Sequence, residues 1–240
     1  MKTRRIRIGC SGWYYWHWKG AVYPAGLPTS QWFGHYQRTF DTVELNAPFY
    51  HWPQPATVQN WARQATPGFQ YSIKVNRRIT HLKRFNGTRK LVREFCQLAD
   101  VLSGHMGCFL FQLPPSFYYT PARLHVIVSQ LDSHRRNAVE FRHASWWNDE
   151  VFTAFQDAGL LFCSVSAPQL PDSVIKTADA IYVRFHGAKQ WYRHDYSDAE
   201  LKVWVKKIHA SRAKEIWAYF NNDFQGYAFR NAQTLRRLLR

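Results

Sequence analysis

Short apolar runs that alternate with helical patterns constrain the fold of this sequence more than any other feature. Eight runs are rich in β-branched and aromatic residues, as strands tend to be. They lie at 6–11, 42–46, 69–75, 107–113, 137–142, 160–165, 180–186 and 215–221. Eight strands alternating with helices over 240 residues match a closed barrel in count and length. The sequence therefore predicts the α/β class, as a single (β/α)8 TIM-type barrel domain over 1–240.

Helix-end signals between these runs support the same assignment. Thr120 precedes Pro121, which is the expected order of an N-cap and a first helical residue. Ser197 stands three residues before Glu200, the spacing of a capping box. Gly159 closes another helical pattern. An open doubly wound sheet is the alternative, but no glycine-rich phosphate fingerprint follows the first strand.

The charge of the chain is strongly positive. Lys and Arg number 32 against 16 Asp and Glu, a net charge of +16. Such an excess favours an anionic small molecule or a nucleic acid as partner, although a generally basic surface explains it equally well. The four cysteines are widely spaced and form no Cys-x-x-Cys pair, which indicates buried, reduced thiols.

The sequence gives no sign of a membrane segment. No run approaches the roughly 20 apolar residues that a spanning helix needs. The basic N-terminus leads directly into a strand-like run, without the apolar stretch of a secretory signal. We therefore expect a cytoplasmic protein.

Polar residues recur where the predicted strands end. In TIM barrels the functional groups occupy the carboxyl ends of the strands. The residues at these ends are Glu44 and Asn46, Lys74 and Asn76, Gln112, Glu140 and Arg142, Arg184 and His186, and Asn221, Asn222 and Asp223. In four of these sets two polar residues are spaced two apart, which in a strand places them on one face. The pattern predicts one polar pocket, with a structural ion-pair network as the alternative.

The residue types suggest a division of roles within that pocket. Glu44, Glu140 and His186 are the predicted catalytic residues, as acid, base or charge stabiliser. Lysine and arginine suit a phosphate or carboxylate group. The predicted substrate-binding residues are Trp13, Asn46, Lys74, His81, Gln112, Arg142, Arg184, Asn221 and Asp223.

We predict no metal and no cofactor in this pocket. A metal set of Glu44, Glu140, His186 and Asp223 is the alternative, with His81 and His143 nearby in the sequence. The neighbouring lysine and arginines would repel a cation, and the histidines lack tight ligand spacing.

The loop after the first strand is unusually aromatic. The stretch "SGWYYWHWKGAVYP" at 11–24 contains six tryptophan and tyrosine residues. Some of these rings must pack against the barrel. Aromatic faces beside a polar pocket also stack on sugars or bases, so at least one ring, with Trp13 as the candidate, is predicted to face a ligand.

At these same positions the sequence resembles the domain of unknown function family 72, also called YecE-like. The matching stretches are "IGCSGWYYWHWKGAVYP", "FDTVELNAPFYHWP", "FQYSIKVNRRITH", "GCFLFQLPPSF", "VEFRHASW", "YVRFHG" and "YFNNDFQGYAFRNA". The resemblance implies a TIM barrel without an established activity. The fold of this family has been likened to sugar isomerases and to metal-dependent endonucleases for abasic DNA, which is an analogy only.

Two classes of function follow from the residues and the resemblance together. The first is an enzyme that acts on an anionic substrate, phosphorylated or sugar-like, in the strand-exit pocket. The alternative is a protein that binds or processes nucleic acid through its basic surface and aromatic loop, resembling the abasic-site endonuclease barrels.

Overall fold

Eight strands alternate with helices along the chain. A computed structural model describes residues 4–239. The strands are β1 Arg5–Cys10, β2 Thr42–Leu45, β3 Gln70–Lys74, β4 Met106–Gln112, β5 Asn137–Glu140, β6 Leu161–Ser166, β7 Ala180–Phe185 and β8 Glu215–Phe220. Each lies within two residues of a run predicted from the sequence.

Nine α-helices fall within residues 4–239. They are α1 Trp32–Gln37, α2 Ala47–Tyr50, α3 Pro55–Gln64, α4 Arg89–Cys96, α5 Leu98–Leu102, α6 Pro121–Val128, α7 Asp149–Asp157, α8 Asp198–Ala210 and α9 Tyr227–Leu238. A π-helical turn, Arg78–Leu82, follows β3.

The predicted helix-end signals are present in the structure. The Thr120 hydroxyl accepts a hydrogen bond from the backbone of Arg123 and so caps α6. Ser197 and Glu200 form the reciprocal capping box of α8. Gly159 follows α7 with φ +65°, the left-handed conformation that commonly ends a helix.

The chain divides into two compact units. The first contains the described residues up to Glu44, the segment Ser164–Val174 and the chain from Asp179 onward. The second contains Leu45–Cys163 and Ile175–Ala178.

Within each unit the strands pair in parallel. In the first unit β8 lies between β1 and β7. The end of β6 meets the end of β7, where the backbone amide of His186 donates to the carbonyl of Ser166 over 2.9 Å. In the second unit β4 lies between β3 and β5, and β5 also pairs with the start of β6. Eight parallel strands alternating with helices constitute the (β/α)8 TIM-type barrel, and the predicted fold class is confirmed.

Aromatic side chains fill the core of each unit. In the first unit the rings of Phe185 and Phe220 stack 4.3 Å apart on neighbouring strands. In the second unit the ring of Phe141 stacks on Trp146 at 3.9 Å. These bulky side chains flank the polar residues of β5 and β7, as the alternation of the sequence predicts.

Glycine is required where two backbones approach closely. A Cβ atom on Gly9 would lie 2.3 Å from the carbonyl oxygen of Thr42. The absence of a side chain therefore lets β1 approach β2 within the first unit.

The four cysteines are buried free thiols. Within residues 4–239, every helix is too short or too polar to cross a membrane.

Candidate functional site

A buried carboxylate, Glu44, is the centre of the polar cluster in the first unit. Its Oε1 atom accepts a hydrogen bond of 2.7 Å from the Ser11 hydroxyl. Its Oε2 atom accepts one of 2.6 Å from the Tyr182 hydroxyl. Glu44 and Tyr182 are fully buried and Ser11 is 1% exposed. Both hydroxyl groups therefore reach the carboxylate away from solvent.

The guanidinium of Arg184 completes the set of donors to Glu44. Arg184 donates from Nε over 3.1 Å and from Nη2 over 2.6 Å, in both cases to Oε1 of Glu44. Four hydrogen bonds thus converge on one carboxylate in the interior of the unit. A carboxylate so fully occupied holds the guanidinium in place and is a poor group for proton transfer.

The ring of His186 lies beyond Arg184 and is also fully buried. Its Nε2 atom lies 3.5 Å from Nη1 of Arg184, and its Nδ1 atom lies 3.2 Å from the side-chain nitrogen of Asn221. The ring of Trp191 packs at 5.4 Å. The two ring nitrogens of His186 thus face different side chains, Arg184 in β7 and Asn221 just after β8.

The aromatic loop after β1 contacts Asp223, which is also in the first unit. The indole of Trp18 and the ring of His17 each bond the backbone carbonyl of Asp223 over 2.9 Å. His17 also lies 3.2 Å from the Asp223 carboxylate. Burial raises the pKa of Asp223, although the contact with His17 opposes this effect. The Tyr15 hydroxyl donates to the backbone carbonyl of Ser11.

The rings of this loop divide into packed and exposed ones. Trp13 packs on Phe33 with centroids 4.6 Å apart, and Trp18 is fully buried. Tyr14 and Trp16 are 52% and 64% exposed. Trp13, the predicted ligand-facing ring, therefore packs on Phe33 in the structure. The exposed pair offers the larger aromatic surface.

A second polar cluster lies in the second unit, at the ends of β3, β4 and β5. Arg142 forms an ion pair with Glu140, in which the carboxylate is fully buried. The ammonium group of Lys74 lies 3.9 Å from the centre of the Phe49 ring. A cation over an aromatic face is held electrostatically by the ring quadrupole. Both cations are therefore fixed in place.

His81 lies on the π-helical turn and faces these charges. Its pKa is lowered to about 4, first by burial and then by Lys74, Arg142 and Arg84, while Glu140 opposes the shift. Its ring packs edge-on against Phe49 at 4.9 Å. π-helical turns occur frequently at functional sites. The cluster therefore presents a neutral imidazole among three cations and one carboxylate.

Amide side chains border this second cluster. Gln112 donates to the carbonyl of Leu113 over 2.7 Å, and its nitrogen lies 3.5 Å from Nε2 of His81. Asn76 donates to the carbonyl of Pro48 over 2.8 Å and accepts from the backbone of Arg78. These two residues shape the loops around the site.

The two-residue spacing holds only in part. Glu44, Lys74, Glu140 and Arg184 lie within strands, but the second member of each pair lies beyond the strand end. Asn46 is the residue before α2, with helical φ of −95° and ψ of −21°. The expectation that Asn46 shares a strand face with Glu44 is wrong because β2 ends at Leu45.

The structure thus brings the predicted residues together in two sets. Glu44, Arg184, His186 and Asn221 are connected in the first unit, and Lys74, His81, Gln112, Glu140 and Arg142 in the second. The single pocket for both sets and the catalytic roles of Glu44, Glu140 and His186 stay predictions.

Sequence reasoning missed two donors to Glu44. Tyr182 lies two residues before Arg184 in β7, so the alternation that selected Arg184 also marks Tyr182 as its neighbour on the same face. Ser11 follows β1 directly. The sequence analysis placed Ser11 at the end of the predicted run 6–11, and this position gave the only available signal.

Metal ligands do not cluster in the described part of the chain. Among residues 4–239, no three His, Cys, Asp or Glu side chains are grouped in a way that could hold an ion. The set considered as an alternative from the sequence, Glu44, Glu140, His186 and Asp223, therefore does not form such a group.

Known proteins resemble this chain over nearly its whole length. UPF0759 protein YunF of Bacillus subtilis is 24% identical over 271 residues, which covers 98% of this chain and 94% of that protein. UPF0759 protein YecE of Escherichia coli K12 is 32% identical over 114 residues, which covers 47% of this chain and 42% of that protein. The crystal structure of a DUF72 family protein from Thermotoga maritima matches with a TM-score of 0.88 at 28% identity. That match covers 98% of this chain and 99% of the other.

The family model described as "Protein of unknown function DUF72" matches residues 7–240. This range includes both polar clusters and all eight strands except the first two residues of β1. The resemblance predicted from the sequence motifs is confirmed, and the chain belongs to the DUF72 family.

Proposed function

We propose that this protein binds and acts on a small anionic substrate, phosphorylated or sugar-like, at the cluster formed by Lys74, His81, Glu140 and Arg142. Lys74, Arg142 and the neighbouring Arg84 bring three positive charges to His81, against the single carboxylate of Glu140. An excess of fixed cations at the carboxyl ends of parallel strands suits an anionic group.

The observation that carries this proposal is the grouping of three cations around the ring of His81, which together with burial lowers its pKa to about 4. Burial of the ring is the largest cause of this shift, and repulsion by the surrounding cations adds to it. A bound dianion would cancel much of this repulsion and raise the pKa of His81. The imidazole could then hold a proton beside the substrate and act as its general acid.

Neighbouring side chains hold Arg142 and Lys74 in place for this role. The ion pair with Glu140 orients the guanidinium of Arg142, and a guanidinium can bind a phosphate through two nitrogens. The face of Phe49 holds the ammonium group of Lys74 at 3.9 Å. In this proposal Glu140 positions Arg142.

Titration of the His81 imidazole resonance by NMR tests the proposal. Ribose 5-phosphate or inorganic phosphate, added at constant ionic strength, should raise the pKa of His81 by at least one unit and saturate. Lys74→Met and Arg142→Met should each weaken this binding about tenfold or more. Lys83→Met is the matched control, because Lys83 is an exposed lysine two residues from His81 and is not among the groups that shift its pKa. Binding should survive a chelator.

Two outcomes contradict the proposal. One is a pKa of His81 that does not respond to millimolar phosphate or ribose 5-phosphate. The other is an equal loss of affinity in Lys83→Met and Lys74→Met, which would indicate attraction by the overall charge alone.

The exposed rings of the aromatic loop favour a second candidate function, the binding of single-stranded nucleic acid. Tyr14 and Trp16 are 52% and 64% exposed, and the chain carries a net charge of +16. Bases stack on such rings, and phosphates release counterions on a basic surface. This candidate predicts an affinity that falls steeply with salt and at least fivefold in Trp16→Ala. An affinity that is insensitive to both changes would exclude it.

A further inference from the structure

A cleft of about 520 Å³ lies in the second unit, at the beginning of β5. Its volume is in the range of small-molecule sites. One wall is a face of α4, and the other is the segment from Ser129 to Asn137 that leads into β5. Glu140, in the site proposed above, ends the same strand. The cleft is therefore separate from that site, since the two occupy opposite ends of β5.

The α4 wall of the cleft carries two arginines one helical turn apart. Arg89 and Arg93 line the cleft, and neither side chain has a hydrogen-bond or ion-pair partner within residues 4–239. Like charges at this spacing repel each other. Arg89 is also the first residue of α4, where the helix dipole disfavours a cation. An anion between the two side chains would relieve both effects.

The acidic side chains of the cleft are already engaged. Arg135 lies 3.3 Å from the carboxylate of Asp100 and 3.7 Å from that of Asp132. Together with Arg89 and Arg93, the cleft holds three arginines and two aspartates. The positive excess is on the α4 wall, because Arg135 occupies both carboxylates.

A buried amide provides the independent sign of a ligand. Asn137 lines the cleft and is 1% exposed. Its side-chain nitrogen donates to the carbonyl of Asp132 over 2.8 Å. Its Oδ1 atom is buried and accepts no hydrogen bond from any described residue. A buried acceptor of this kind normally has a partner, so a ligand with an O–H or N–H group would satisfy it.

We propose that this cleft is a binding site for a small phosphorylated molecule that carries a hydroxyl or amino group. The phosphate lies between Arg89 and Arg93, and the hydroxyl or amino group donates to Oδ1 of Asn137. Functional groups of TIM barrels occupy the opposite ends of the strands. The ligand of this site therefore binds at the end of the strands opposite to the proposed substrate.

Residue-specific NMR tests the site directly. Ribose 5-phosphate is added at constant ionic strength to the ¹⁵N-labelled full chain, and the amide signals of Arg93 and Asn137 are followed. We expect saturable shifts at both residues. Sulfate, which has two negative charges and no hydrogen-bond donor at neutral pH, should bind at least tenfold more weakly.

Arg89, Lys90 and Arg93 are exposed, so their replacement should keep the fold intact. Arg89→Gln combined with Arg93→Gln should weaken binding at least tenfold. The control is Lys90→Gln, which removes one positive charge from the same helix outside the cleft lining and should alter affinity less than twofold. Lys74→Met, at the other end of the strands, should leave the shifts at Asn137 unchanged.

Three results would overturn the proposal. The first is the absence of saturable shifts at Arg93 and Asn137 when ribose 5-phosphate is added up to about 10 mM, a concentration at which even a weak small-molecule site would be occupied. The second is an equal effect of Lys90→Gln and the double variant. The third is equal affinity for sulfate, which would remove the role assigned to Asn137.

Discussion

Arg184 donates two hydrogen bonds to the same oxygen of Glu44, over 3.1 and 2.6 Å. The side chains of Arg184 and Glu44 are 1% and 0% exposed, so the ion pair has no access to solvent. The loss of one partner would remove an opposite charge from the other in a medium that solvates it poorly. This pair therefore links the stability of the first unit to the placement of the Arg184 guanidinium.

We expect Glu44→Gln and Arg184→Met each to lower the free energy of unfolding by about 3–5 kcal/mol. The double variant should lose less than the sum, because no unpaired charge remains. Urea unfolding followed by circular dichroism measures these changes. The control is Lys214→Gln, which breaks the exposed pair with Asp179 and should cost less than about 1 kcal/mol. Glu44→Gln with near wild-type stability would contradict a structural role for the pair.

Tyr182→Phe removes the hydroxyl that donates to Oε2 of Glu44 over 2.6 Å. We expect a loss of about 1.5–3 kcal/mol, since the acceptor is charged and buried. Tyr71→Phe is the matched comparison, because the Tyr71 hydroxyl donates to the neutral carbonyl of Trp61 over 2.8 Å. That change should cost about 0.5–1.5 kcal/mol. If thermal or urea unfolding ranks the two variants in the reverse order, the charge on Glu44 is not what makes this hydrogen bond strong.

His81 should make stability depend on pH in a defined window. Its pKa is about 4 in the folded protein, against the ordinary value of 6.5. Between these values the unfolded chain binds more protons, so the free energy of unfolding falls as pH decreases from 6.5 towards 4. His81→Asn should flatten the curve in this window. Urea unfolding at several pH values measures the slope.

Lys74→Met provides a second check on His81, because Lys74 lowers its pKa more than any other neighbouring charge does. The pKa of His81 should rise towards its ordinary value, and the pH dependence should shrink. Lys83→Met, an exposed change on the same segment, should preserve the wild-type slope. An unaltered slope in both Lys74→Met and His81→Asn would assign the pH dependence to other groups.

Gly187 follows His186 in a conformation that excludes a side chain. Its φ is +111°, and an added Cβ atom would lie 2.2 Å from the carbonyl oxygen of Gln190. Gly20 has φ +86° with no atom within 4 Å of such a Cβ among the described residues. Gly20→Ala should therefore cost only the backbone strain, about 1–3 kcal/mol, whereas Gly187→Ala should cost clearly more. Equal losses in thermal unfolding would show that the turn after His186 adapts.

The strands could be predicted because each has its own local pattern. The run at 180–186 alternates bulky apolar residues with Tyr182, Arg184 and His186, and β7 occupies Ala180–Phe185. Sequence patterns place strand ends less well. The turn after β2 illustrates this, since Asn46 adopts a helical conformation before α2. Pro48 falls in the first turn of that short helix, where its missing N–H costs little.

Several members of the two polar clusters could be identified from the sequence, but most of their contacts could not. The spacing identified Glu140 with Arg142, and these two residues do form an ion pair. The sequence could not show that Lys74 lies over Phe49, because 25 residues separate them in the chain. The unpartnered oxygen of Asn137 was also hidden, since only the packed structure shows which buried acceptors lack a donor.

The four hydrogen bonds that converge on Glu44 limit the order in which this cluster can change during evolution. Ser11 donates to it from the residue after β1, and Tyr182 and Arg184 donate to it from β7. Replacement of Glu44 first would remove the carboxylate that accepts two hydrogen bonds from the buried guanidinium, whereas replacement of Arg184 first would remove two of the four donors to a buried carboxylate. Neutral drift at these positions therefore requires near-simultaneous substitutions or a stabilised background. Among related sequences, the identities at positions 44 and 184 should change together.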